Sequence, residues 1–211
     1  MTVLLLCCAA LAQAAPSPAP SSSKPTASAR SAGGRKAPQP KPDEGSLTKG
    51  TYTEKFFSLS YALPANWVVR TPEIRQGLAA QDNAVLLLSA FGKDKPAVSE
   101  INPSVTLSAE SLSSYPDVKT AEDYFAVLSQ VVTSKGFVVL NAPAEIDVGG
   151  VTFLRGDFQK QEDDSTTYQA TMVALRKDYL LTITAISGNE EDLTPLLNRL
   201  QIFAPPTLNR R

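Results

Sequence analysis

No histidine occurs among the 211 residues, and the only cysteines, Cys7 and Cys8, lie in an apolar run at the N-terminus. Their absence elsewhere excludes Ser-His-Asp and Cys-His nucleophiles, histidine-held metals and zinc clusters. It also leaves the rest of the chain without a disulfide. Phosphate cradles are missing as well: the Gly149-Gly150 pair is followed by a strand-like run, whereas such loops open into a helix. Aromatic residues are absent from the first 49 positions, which hold 7 of the 16 prolines. That stretch buries too little apolar surface to offset the entropy of ordering it. About 160 residues remain to fold, enough for one domain.

Residues 3–11 are apolar but too few to span a bilayer. Ala12-Gln13-Ala14 follows, with small residues where signal peptidase needs them, so residues 1–14 read as a secretory signal cut after Ala14 or Ala15. No Lys or Arg precedes the run. A lipid anchor on Cys7 or Cys8 is the alternative, although the residue before each cysteine, Leu6 or Cys7, is larger than lipidation prefers. The expected location is periplasmic or secreted, with no transmembrane helix in the mature protein. Residues 15–49 read as a disordered Pro/Ser/Ala-rich linker. Lys24, Arg30, Arg35, Lys36, Lys41 and Lys49 against Asp43 and Glu44 give it +4, while the remainder carries 14 basic and 19 acidic residues, or −5. Six dispersed cations describe a solvated spacer rather than an electrostatic anchor for anionic lipid or cell-wall polymer, and the lack of interleaved aromatic residues argues against a nucleic-acid platform.

From residue 50 to 205 the pattern is that of a folded domain, with 206–211 as a tail. Phe57, Leu59, Tyr61 and Leu63 alternate as one face of a strand. Pro64-Ala65-Asn66 turns the chain, and Trp67-Val68-Val69 opens another strand. Ala84–Leu88 is apolar on both faces, as a covered central strand would be. Ser104–Ala109 alternates again. The period then changes: Ala121, Tyr124, Phe125, Leu128, Val131 and Val132 mark an amphipathic helix, capped by Thr120 with Asp123 and stopped by Gly136. Beyond it lie Phe137–Leu140, Glu145–Val148, a Gly-Gly hairpin turn, Val151–Gln159, Thr167–Leu175 and Tyr179–Ile186, an antiparallel meander. A last helix follows Gly188, with Leu193, Leu196, Leu197 and Leu200 on its apolar side; Pro195 inside it offers the alternative of a start with Thr194 as cap and Pro195 in first position. The class is α+β, a central antiparallel sheet flanked by helices.

The run Leu63-Pro64-Ala65-Asn66-Trp67 after an aromatic strand resembles the Pro-x-x-Trp opening of PsbP-like domains, and the order of the following elements is similar from about Tyr52 to Phe203. The resemblance extends to a wider α/β/α sandwich set that includes a Ran-binding nuclear import factor and exported bacterial proteins. It implies a non-enzymatic binding or assembly-helper domain. Plant members aid manganese, calcium and chloride retention partly through histidines; this chain has none, so no metal or cofactor residue is carried over.

Several constellations combine residue types that can support chemistry. Trp67 is expected to anchor the core rather than stack a ligand, and Pro64 to shape the turn. Glu162, Asp163 and Asp164, with Ser165 and Thr166, lack the spacing of a calcium loop and read as a solvated connection. Arg155 and Asp157 share a strand face with Val151 and Phe153; they are either a buried pair beside a pocket or the exposed end of a sheet. Glu122-Asp123 and Glu190-Glu191-Asp192 suit helix starts. Ser134-Lys135 ends a helix without the Ser-x-x-Lys spacing. The expected function is an exported accessory protein whose partner is another envelope or secreted protein, with no catalytic residue and no cofactor. The alternatives are a carboxylate-dependent hydrolase or lyase, which needs two facing acids, and a chaperone-like domain, which needs an open apolar groove.

Overall fold

The computed structural model describes residues 41–78, 83–97 and 100–203. The expected signal, the lipid-anchor cysteines Cys7 and Cys8, most of the linker and the tail 206–211 lie outside them. Two antiparallel sheets and three α-helices make up the described fold. The larger sheet has seven strands in the order β4 (Val68–Val69), β5 (Ala84–Phe91), β6 (Ser104–Ser111), β10 (Tyr179–Ser187), β9 (Ser165–Arg176), β8 (Val151–Glu162) and β7 (Val138–Val148). The smaller runs β1 (Ser46–Thr48), β2 (Thr51–Glu54), β3 (Leu59–Ala62) and β11 (Leu200–Ile202). The helices are α1 (Thr71–Gly77), α2 (Ala121–Ser134) and α3 (Leu193–Leu197).

Strand alternation sorts the side chains of the large sheet into two unlike faces. Val105, Leu107 and Ala109 on β6, Leu181, Ile183 and Ala185 on β10, and Ala170, Met172 and Ala174 on β9 point to one side. There they meet Tyr52, Phe57, Leu59 and Tyr61 of the small sheet and Leu193, Leu196 and Leu197 of α3 in one buried cluster. On the opposite face α2 lays Tyr124, Phe125, Leu128 and Val132 over Leu154, Phe158, Val173 and Leu180. Phe125 stacks on Phe158 with centroids 6.2 Å apart, and Gly156 beneath it has no side chain to obstruct the ring. The expectation of helices on both faces is corrected: one layer is helical, and the other is mainly a second sheet, with a five-residue helix at its side. The short runs at 51–54, 59–62 and 200–202 pair more readily with one another than they could form helices of their own.

Helix α2 forms as its caps dictate. The Thr120 hydroxyl accepts from the Asp123 N–H at 3.2 Å, and the Asp123 carboxylate accepts from the Thr120 N–H at 3.0 Å. Gly136, at φ +89°, ends it. Other expectations shift. The stretch expected to be linker as far as Lys49 is folded at its end: Ser46–Thr48 pairs with β2 as the edge of the small sheet. Phe137–Leu140 and Glu145–Val148 are one strand, β7, interrupted by bulges between Val139 and Ala144 where Pro143 withholds a donor. The polar run after Gln159 is a two-residue turn at Asp163-Asp164, since Gln161 and Glu162 pair with Thr166 and Ser165. Of the two starts offered for the last helix the earlier fits: Asp192 precedes α3 and Pro195 occupies its first turn, where its missing N–H has no intrahelical partner to lose, but the helix ends at Leu197 and Leu200 belongs to β11. Strand β5 lies one place from the edge, and β4 covers only its last two residues.

Helix α1 was not anticipated, and it seals the rest of β5. The Thr71 hydroxyl accepts from the Ser89 N–H at 2.8 Å, while Arg75 donates Nε to the Leu86 carbonyl at 2.7 Å and Nη2 to that of Leu87 at 3.2 Å. Side chains thus satisfy backbone groups that a longer β4 would otherwise have paired.

Candidate functional site

An open cleft of about 560 Å³ lies where the two sheets meet, between the β1–β2 turn and the chain leaving β3. Leu47, Leu63, Pro64, Trp67 and Val69 give it an apolar wall, and Lys49, Thr51 and Asn66 add polar groups. The local sequence builds this shape. Lys49 and Gly50 both take positive φ in the turn, and the Leu63 N–H donates to the Gly50 carbonyl at 2.8 Å. The Trp67 N–H reaches back to the Pro64 carbonyl at 3.4 Å, closing the turn that Pro64 and Asn66 (φ +65°) impose. A side chain added at Gly50 would meet nothing within 4 Å, so the floor on that side is open. Trp67 is half-buried. It packs against the larger core and also faces the cleft, so it both anchors and lines, where the sequence suggested anchoring alone.

The other candidates fall into structural roles. Arg155 and Asp157 form a bidentate pair, Nε to Oδ1 at 2.8 Å and Nη2 to Oδ2 at 3.1 Å. Arg155 Nη1 also donates to the Thr194 hydroxyl at 2.9 Å, and Asn141 Nδ2 donates to Asp157 at 3.3 Å. The pair is neither beside the cleft nor at an exposed sheet end; it staples β7, β8 and α3 together. Glu162 pairs with Lys160 at 2.6 Å, and Asp163 and Asp164 are exposed in their turn. Asp123 is held below the usual carboxylate range by the N–H groups of Lys119 and Thr120 that its cap receives. Asp192 accepts from the Ser187 hydroxyl at 2.7 Å beside the 190–192 turn. The Ser134 hydroxyl donates to the Val131 carbonyl at 2.7 Å, away from Lys135.

Sequence reasoning passed over two buried acids. Glu110, on β6, is 1% exposed, and its carboxylate accepts from the Tyr124 hydroxyl at 2.9 Å and from the Tyr115 hydroxyl. Burial pushes its carboxyl above the ordinary range, against the pull of the two phenols. The signal was present in the alternation, since Glu110 follows Ser104, Thr106 and Ser108 on the face opposite Leu107. Glu54 is equally buried, and accepts from the N–H groups of Phe56 at 2.9 Å and Phe57 at 2.6 Å. Glu54, Glu110 and Asp157 are therefore engaged separately, and among the described residues no group of three or more acidic or cysteine side chains is placed to hold a metal. No helix among them is long and apolar enough to cross a membrane.

No family model matches the chain, and no curated protein does. Solved structures similar to it include cyanobacterial PsbP from Synechocystis, at 15% identity and TM-score 0.49, covering 75% of this chain and 98% of that one. LpqN, involved in cell envelope biogenesis in Mycobacterium tuberculosis, is similar at 13% identity and TM-score 0.44 over 78% of this chain and 90% of its own. A protein of unknown function from Pseudomonas aeruginosa, described as a putative regulator, is similar at 18% identity and TM-score 0.37 over 56% and 76%. Cyanobacterial PsbP bears the name of the family that the sequence resembles. At these scores none of the likenesses transfers a ligand or a role to this chain.

Proposed function

We propose that this chain is an exported, non-enzymatic accessory protein that holds an extended, largely apolar stretch of another envelope or secreted polypeptide in the Trp67 cleft. The observation that carries the reading is the cleft: apolar on one wall, polar on the rim, and open to solvent at the seam of two sheets. Concave, mostly apolar surfaces with a few placed polar groups are where ligands bind. The separate engagement of the buried acids supports a holding role over a two-acid hydrolase or lyase, because such chemistry needs carboxylates facing across a gap. Leu47, 48% exposed on the cleft wall, favours a second reading, a chaperone-like surface that shelters apolar segments of many proteins.

Capture from a native envelope extract tests both. The wild-type chain should recover one partner in stoichiometric amount, and Trp67→Ala, with its circular dichroism unchanged, should lose it. Recovery of many substoichiometric proteins would select the chaperone reading. Equal capture by wild type and Trp67→Ala would remove the cleft from the function.

A further inference from the structure

We infer that the Trp67 cleft takes the free C-terminal end of its polypeptide partner, with the last side chain on Trp67 and the terminal carboxylate on the Lys49 ammonium. The inference rests on the cleft being a binding site, as proposed above, and adds which part of the partner enters it. Among the described residues Lys49 is the one charged side chain that lines the cleft, and no acid answers it there. The Lys49, Thr51 and Asn66 side chains also have no hydrogen-bond or ion-pair partner among the described residues. An ammonium, a hydroxyl and an amide therefore stand free at the rim of an apolar wall. A carboxylate is the group that all three can donate to at once.

The turn that carries Lys49 points the same way. Lys49 and Gly50 are its two central residues, between the paired Thr48 and Thr51, and they take φ +49° and +75°. Turns of this kind favour Asn-Gly, Asp-Gly or Gly-Gly. A lysine in the left-handed region bears a steric cost that asparagine would lessen, and such strain collects at ligand clamps. The backbone of the bound peptide then selects a chain end over an internal stretch. The side chains of Leu47, Leu63, Pro64 and Val69 offer no hydrogen bond, so every peptide unit seated against that wall would lose partners for its N–H and C=O. A terminus seats one side chain there, stops, and turns its charge to the rim.

Trp67 is the only tryptophan, so its fluorescence reads the cleft in the full chain. The probe is the tetrapeptide acetyl-Ala-Ser-Ala-Leu with a free carboxyl end, titrated beside its C-terminal amide. The acid should move the emission to shorter wavelength and bind about fivefold more tightly than the amide, the upper end of what an ion pair open to solvent contributes. Salt at about 0.5 M should erase the difference. Lys49→Asn gives the turn a residue it favours, so it should melt no lower than wild type while binding acid and amide alike; Lys49→Arg should keep the preference. Equal binding of acid and amide by wild type overturns the inference, and so does a preference that survives Lys49→Asn. Binding of acetyl-Ala-Ser-Glu-Leu amide, whose carboxylate is internal, as tightly as the acid would overturn it too, as would tighter binding of decanoate, a lipid acid. A missing acid preference alongside loss of partner capture by Trp67→Ala would sink this inference alone. A clear preference with capture unaffected by Trp67→Ala would sink only the partner reading.

Discussion

Gly149 and Gly150 form the two-residue turn between β7 and β8, with Val148 paired to Val151. Both have left-handed backbones, φ +61° and +80°, as a type I′ turn requires. Their surroundings differ. A Cβ at Gly150 would meet nothing within 4 Å, whereas at Gly149 it would stand 3.0 Å from the carbonyl carbon of Ile202 and closer still to its oxygen. Alanine in the left-handed region costs about 1–2 kcal/mol, offset by about 0.4–1 kcal/mol from the reduced freedom of the unfolded chain. Gly150→Ala should therefore destabilise by about 1 kcal/mol. Gly149→Ala bears the same cost plus the displacement of β11, whose backbone is fixed by pairing with β3; overpacking of this kind costs about 1–3 kcal/mol more. Urea unfolding at constant m-value measures both, and the melting temperature should fall by about 2–4 °C in the first variant and about 4–16 °C in the second. Equal losses would refute the reasoning, because they would mean that β11 yields without cost and does not lock the small sheet to the hairpin.

Glu110→Gln should alter the pH dependence of stability. A carboxyl whose folded affinity for protons lies above the unfolded value contributes stability that is full below about pH 4.5 and is lost as pH rises through the folded value. Denaturation at pH 5 and pH 8 should show the variant gaining on wild type at the higher pH; a parallel offset at both would remove the buried acid from the account. Thr182 has no hydrogen-bond partner for its buried hydroxyl among the described residues, whereas the Thr171 and Thr184 hydroxyls lie 3.1 Å apart. Thr182→Val should be neutral or stabilising by up to about 1 kcal/mol, and Thr184→Val destabilising by about 1–2 kcal/mol, since it leaves Thr171 one bond short; thermal melts of the two should move in different directions. Asp157→Ala strands the Arg155 guanidinium, which is 20% exposed, and should cost about 2–4 kcal/mol by urea titration, while Arg155→Met with Asp157→Leu recovers most of it.

What could be read from the sequence was what repeats. The α2 stripe, its Thr120–Asp123 cap and the alternation in β6, β9 and β10 each rest on several residues that agree, and all are found. Helix α1 has seven residues, Pro72 and no apolar stripe; it exists because Thr71 and Arg75 find the open backbone of β5, a relation between distant segments that no local period encodes. Of the cleft, Pro64 and Trp67 stand out, but Leu47 and Lys49 come from a stretch whose composition reads as linker. Ser46–Thr48 becomes a strand only because β2 offers it a register.

The two faces of the large sheet also explain why that register is unique. On β10, Leu181, Ile183 and Ala185 enter the apolar layer while Thr182 and Thr184 face the other way, where Thr171, Ser108 and Glu110 are also buried. A slip of one residue would drive two threonine hydroxyls into the cluster around Met172 and Phe57 and turn Leu181 and Ile183 out of it. Thr184 so displaced would lose its Thr171 partner at about 1–3 kcal/mol, a sizeable part of the 5–15 kcal/mol by which a domain is stable at all. The hydroxyl-bearing face thus adds less to cohesion than an apolar one would, and it excludes the neighbouring registers. The seam between the sheets, and with it the position of Trp67, is held in place by that exclusion.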